Sequence, residues 1–260
     1  MNKSTNFLHV GNIIPIGIGD LESSDADDKR SAAPGQFSII RDAFGERIVR
    51  YMKCQQVGGH AKGEPAKRKN RSGYTLSAGG TITSARLYGN FASAGKWKGA
   101  MVVLTNNATT VGAAPEGEVA ICVSNTASCA YLDRDAGFTT APAANDTIDM
   151  FSVFGVEDAS SGDAAALGAG IACGDIAVGE WGWYQCKGIF PNAKISAKVS
   201  ANTALIIGST AATFRTGVGT ISGVGDLQAM WGRGLSTIIG DVSGMKAPVY
   251  VNVLDAVYDG

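Results

Sequence analysis

The clearest pattern in this chain runs from Gly179 to Val199. Trp181 and Trp183 are two residues apart and so share one side of an extended strand, while Tyr184 and Cys186 share the other. Gly182 between the tryptophans leaves room for a neighbouring ring or backbone, and Gly188 is expected to close the run. A second alternation follows, with Ala193, Ile195, Ala197 and Val199 against Lys194, Ser196, Lys198 and Ser200, the signature of a half-buried strand. Shorter runs of the same kind recur: Phe37–Ile40 and Arg47–Gln55 around an Asp42-Ala43-Phe44-Gly45 turn, Tyr74–Ser77 and Thr81–Tyr88 around Ala78-Gly79-Gly80, then Trp97–Thr105, Glu118–Val123 and Asp146–Gly155. Leu205–Gly208, Phe214–Gly225, Gln228–Ile239 and Pro248–Val257 complete the set. A helix over Thr109–Ala130 is cut short by Gly112, Pro115 and Gly117. Asp163–Gly170 reads as one helical turn or a connector. The pattern predicts an all-β fold, a β-barrel or β-sandwich core of many short strands.

The same pattern divides the chain. Residues 1–36 read as an extended N-terminal arm, 37–89 as the first part of the β core, 90–162 as an insertion or elaboration, and 163–260 as the second part of the core. In the arm, Pro15 and the nearby glycines disfavour a helix. An acidic patch of Asp20, Glu22, Asp25, Asp27 and Asp28 follows. A solvated tail and an arm laid across a neighbouring subunit both fit. Ile13, Ile14, Ile16 and Ile18 favour the arm, and residues 1–30 are then expected to be removable without unfolding the core.

Composition narrows the function classes. Of 260 residues, 45% are hydrophobic and only 17% charged, against about 25% charged in ordinary soluble domains. Much of the surface must then be Gly, Ala, Ser and Thr, which suits close packing against neighbours. The net charge of −1 gives no global field for nucleic acid. No apolar run is long enough for a transmembrane helix, and the polar residues among the first twelve argue against a secretory leader. Five cysteines without CxxC spacing and only two histidines make a zinc site improbable; reduced, buried thiols are expected.

The most basic stretch is Lys67, Arg68, Lys69 and Arg71, in a polar region from Gly58 to Tyr74. Glu64 stands where a phosphate-binding loop needs Lys, and no aromatic residue interleaves before Tyr74. The reading is a solvated loop, or one docking on an acidic surface such as the Asp-rich arm. Gly217-Val218-Gly219 sits among strand formers, not before the long helix that a dinucleotide site requires. Cys54 precedes His60 by six residues, with no motif around the pair. No catalytic set, cofactor site or calcium loop is predicted.

Gly179-Glu180-Trp181-Gly182-Trp183-Tyr184-Gln185-Cys186-Lys187-Gly188, preceded by Gly170-Ile171-Ala172, resembles the aromatic strand of small phage head-decoration (capsid cement) proteins. Gly45–Lys53 looks like their first core strand. Trp231-Gly232-Arg233-Gly234-Leu235, with Val249–Leu254, is similar to their closing pair. The resemblance covers about half the chain and finds no match in 1–36 or from about Asn90 to Gly162. It implies a non-enzymatic virion protein on the outer surface of a capsid, made in the host cytoplasm. Its expected partners are the major capsid protein and copies of itself, as a homotrimer or other symmetric oligomer. Trp181, Trp183, Tyr184 and Trp231 are then core or subunit-seam residues. Two other readings stay open, a tail or head-fibre subunit and a carbohydrate-binding module with exposed tryptophans.

Overall fold

A computed structural model describes residues 21–26, 29–91, 94–133, 137–159, 168–197, 199–208, 212–216, 232–236 and 245–253. Among them are fourteen strands and no α-helix: β1 (Phe37–Asp42), β2 (Gly45–Cys54), β3 (Pro65–Thr75), β4 (Arg86–Tyr88), β5 (Ala100–Asn106), β6 (Val119–Asn125), β7 (Cys129–Leu132), β8 (Thr147–Asp158), β9 (Gly168–Ala172), β10 (Trp181–Ile195), β11 (Ala204–Ile207), β12 (Phe214–Thr216), β13 (Gly232–Gly234) and β14 (Met245–Asn252). The chain is all-β, as its alternation predicts. The sheet is mixed but mostly antiparallel, with a partial ring in the first unit.

Two compact units divide it, Met1–Arg68 with Gly155–Gly260, and Lys69–Phe154. The second unit opens inside β3 and ends inside β8, whereas the sequence placed the elaboration at 90–162.

In the first unit everything converges on β10. Its first half pairs antiparallel with β2, from Trp181 opposite Lys53 to Lys187 opposite Ile48. Its second half pairs antiparallel with β14, from Lys187 opposite Asn252 to Ile195 opposite Met245. Tyr184 and Gln185 also bond β9, and Ile195 makes a parallel bridge to Phe214 of β12. That bridge closes the path β10–β14–β13–β11–β12 on itself. Serving several neighbours along its length makes β10 one 15-residue strand, where the sequence suggested two runs separated at Gly188. Its register shifts against β2 between Gln185 and Lys187 and against β14 between Phe190 and Ala193. The second falls at Pro191, which supplies no N–H to the ladder, the usual reason for a bulge at proline. Along β14, Val249, Val251 and the following Val253 share one face and are buried.

The β1–β2 hairpin forms because Asp42 Oδ1 accepts the Phe44 N–H at 2.9 Å and Gly45 takes φ +88°. Gly170 on β9 has φ +125°, and a Cβ there would lie 2.5 Å from the Gln185 carbonyl oxygen, so only glycine lets β9 approach β10.

The second unit holds its own core. Leu87, Phe91, Trp97, Val102, Leu104, Leu132, Phe138, Ile148 and Met150 are among the residues that pack there. β5 pairs with β8 and β6, β6 with β7, and β7 with β4.

These backbone constraints separate two substitutions. Gly45→Ala meets no neighbour within 4 Å and bears only the positive-φ strain, about 1 kcal/mol. Gly170→Ala adds a backbone collision and is expected to cost about 2–4 kcal/mol. Denaturant midpoints of the two variants, compared at equal m-value, check the ordering.

Candidate functional site

The aromatic stretch singled out in the sequence is built between β2 and β10. Trp183 lies directly opposite Tyr51 in register. The Tyr51 ring is 5.0 Å from that of Trp183 and stacks on Trp181 at 5.6 Å with an 18° interplanar angle. Trp181, Trp183 and Tyr51 retain 4%, 1% and 0% of their surface. Such rings bury about 150–250 Å² each, so this seam is core and offers no exposed ligand platform.

What covers the seam is the chain before β1. Asp25 and Trp181 exchange both backbone hydrogen bonds at 2.8 Å, Gly35 N–H donates to the Tyr51 carbonyl, and Tyr51 N–H donates to the Gln36 carbonyl. The Tyr51 hydroxyl donates to Asp25 Oδ2, as do the Ser31 N–H and hydroxyl. Burial raises the Asp25 carboxyl, but the Ser31 and Tyr51 hydrogen bonds outweigh it and hold the group below its ordinary value. Burial first, and then this carboxylate, push Tyr51 up. The Arg30 guanidinium lies 5.3 Å from the Trp181 ring centroid. Glu22 pairs with Lys62, and Ser24 donates to Glu180. The described residues between 21 and 36 therefore form a strap on their own chain, neither a solvated tail nor an arm across a neighbour. Ile13, Ile14, Ile16, Ile18 and Trp231 lie outside the described residues.

The opposite face of β10 carries Tyr184, buried in a small cluster with Met52, Cys54, Ala66, Val156 and Ile176. His60 Nδ1 is 2.8 Å from the Tyr184 hydroxyl and 3.5 Å from Cys54 Sγ. Its Nε2 forms an ion pair with Asp158 Oδ1 at 3.0 Å. Thiol, imidazole and carboxylate in that order resemble an activated nucleophile, but Cys54 has no exposed surface. Burial pushes His60 down, but Asp158 and Cys54 outweigh burial and raise it to about 9. The imidazolium is thus a buried cation held by its carboxylate. Burial pushes Tyr184 well up, with Cys54 adding to it, and pushes the Cys173 and Cys186 thiols up to about 12. All five cysteines are free and buried.

The basic run is not a loop. Lys67, Arg68, Lys69 and Arg71 lie along β3. Lys69 is 2% exposed with its Nζ 5.3 Å from the Trp97 ring centroid. Lys67 faces Glu157 at 3.8 Å. Arg71 donates to the Asn90 carbonyl at 2.9 Å and stacks over Tyr74 at 4.2 Å. Their aliphatic stems cover apolar surface, and charges so engaged leave little for an acidic partner. Glu22 of the acidic patch is met by Lys62.

A recess of about 420 Å³ opens beside the strap, lined in part by Leu21, Phe44, Arg47, Cys173, Phe190 and Pro191. Arg47, its strongest potential anchor, is already paired with Asp42 and donates to Gln185 Oε1 at 3.2 Å. Among the described residues no group of His, Cys, Asp and Glu is arranged to hold a metal ion. Comparison with protein-family models, with curated proteins and with solved structures gives no match for this chain.

Sequence reasoning found the aromatic pair but missed its partners. Tyr51, Asp25 and Ser31 lie far from Trp181 along the chain, and only strand pairing brings them together. The one available signal for the polar cluster was the Cys54–His60 spacing, which says nothing of Asp158 or Tyr184.

Two outcomes follow from this geometry. Deleting residues 1–31 removes the strap, so the Trp181 indole should become quenchable by acrylamide and the melting temperature should fall by several degrees, as a loss of about 1–2 kcal/mol implies. An unchanged quenching constant would show the strap to be dispensable. His60 is raised in the folded state, so its stabilisation is complete below its ordinary value of 6.5 and is lost as pH rises through about 9. The amount is about 3 kcal/mol in order of magnitude. Urea titrations between these limits should show this decline, and Asp158→Asn should flatten it and bring the His60 titration down by NMR.

Proposed function

We propose that this chain is a non-enzymatic structural protein of a tailed-phage virion. It binds the outside of the head shell between major capsid protein subunits, as a symmetric homo-oligomer, and cements them. The observation that carries this reading is the placement of the segments that resemble decoration proteins. Gly45–Lys53 falls on β2, the Trp-Gly-Trp-Tyr stretch on β10, Gly232–Gly234 on β13 and Val249–Asn252 on β14. These strands are hydrogen-bonded neighbours in the order β2–β10–β14–β13. Segments separated by up to about two hundred residues thus behave as one structural motif, as a shared architecture requires. The buried tryptophans do not favour the carbohydrate-binding reading, which needs exposed rings.

Attachment of such a protein sums many weak contacts over a repeated surface. Lys67, Lys69 and Arg71 of β3 are engaged within the chain, so binding should depend only mildly on salt; an ionic cement would release steeply as screening grows. The test is thermal rupture of shells with and without the bound protein, at low and high salt. Decorated shells should rupture at a higher temperature under both conditions. Equal rupture temperatures would overturn the cementing role and point to a display or fibre-base subunit.

A further inference from the structure

The second unit turns one sheet face to its core and the other outward. Ala100, Val102 and Leu104 of β5, Ala120 and Cys122 of β6, and Ile148 and Met150 of β8 all belong to the core. The residues between them therefore point away from it. In an antiparallel sheet with one free face these positions are ordinarily polar. Here most of them are apolar: Met101 and Val103 on β5, Val119, Ile121 and Val123 on β6, and Phe151 and Val153 on β8, with Asp149 the charged exception beside Val103. Met101 lies opposite Ile121 on one side and Phe151 on the other, so the patch is continuous across three strands. Val119 is 51% exposed, Ile121 38%, Val123 44% and Val153 39%. At one border Asp149 accepts the Gly73 N–H at 2.7 Å. At the other, Arg86 lies over the Tyr131 ring at 5.5 Å and donates to the Tyr88 hydroxyl at 3.2 Å. An apolar centre with a polar, aromatic rim is the composition of a protein interface.

We propose that this face is the contact between two copies of the chain, packed face to face about a two-fold axis near Ile121. The proposal deepens the oligomer in the reading above by naming its surface. Three features select a second copy as the occupant. The centre of the patch carries no charge, so it offers nothing to an ionic partner; its complement is another apolar sheet face, and a two-fold axis supplies an identical one. The three apolar strands with the rim strands β7 and β4, spaced about 4.8 Å apart and about five residues long on average, give roughly 400 Å² in projection. That is below the roughly 800 Å² per partner of a standard stable interface and fits a weak, reversible dimer. Pairing through the edge is disfavoured, because the outermost strand, β4, has three residues and is closed by the Thr83–Arg86 bridge, too short to template another strand.

The experiment needs no shell, so its failure is distinguishable from failure of the cementing role. Sedimentation equilibrium of the full chain from about 1 to about 100 µM should show a monomer–dimer equilibrium. Ile121→Lys should weaken it about tenfold or more, because a buried pair of like charges would replace two apolar side chains. Ile121→Thr, which keeps a β-branched residue on the strand, should weaken it less and guards against misfolding in the first variant. Ile121→Cys should form a disulfide-linked dimer under mild oxidation, since the five native thiols are buried. A wild-type chain monomeric at about 100 µM, or self-association indifferent to folded Ile121→Lys, would overturn the proposal. So would a folded Ile121→Lys variant that stays dimeric but no longer binds shells, which would assign the face to the shell.

Discussion

The first unit depends on the hydrogen-bonding capacity of a single strand. β10 bonds to β2, β14, β9 and β12 along its fifteen residues, so its register fixes theirs. A shift by one residue would turn Trp181 and Trp183 away from Tyr51 and bring Tyr184 out of the His60 cluster, since side chains alternate with period two. Both faces of β10 are buried over Trp181–Cys186. Neither face can therefore be exchanged without losing a core, which explains why the most aromatic segment of the chain occupies the most connected position.

The two faces are stabilised by different physics. On one, three rings stack and the strap before β1 closes over them through Asp25, whose carboxylate gathers hydrogen bonds from Tyr51 and Ser31. On the other, a protonated imidazole sits among apolar residues and is held by Asp158. A buried charge costs heavily unless it is paired, so this pair ties the segment after Cys54 to the end of β8. The arrangement has the order of a catalytic set, but its thiol is sealed from solvent.

The second unit shows the opposite economy, with a well-packed interior and an outward face left apolar. Its exposed apolar side chains, Val119, Ile121, Val123 and Val153, are the natural place to look for another molecule, whereas Lys69, Lys67 and Arg71 of β3 lie against Trp97, Glu157 and Tyr74.

Period-two alternation by itself determined that the chain is all-β, placed most of the strands and sorted the side chains of β10 into two faces. It did so because local side-chain alternation reports burial directly. Pairing is a non-local property, and there the sequence was mute. Lys67–Arg71 reads as a loop because its charges mask a strand whose long stems are buried, and residues 21–36 read as a free arm because the partners of Asp25 lie about 25 and 155 positions away. The unity of β10 across Gly188, the strap on Trp181 and the meeting of Cys54, His60, Asp158 and Tyr184 were decided only by tertiary structure, since each requires two or more strands to come into register before any of its contacts exists.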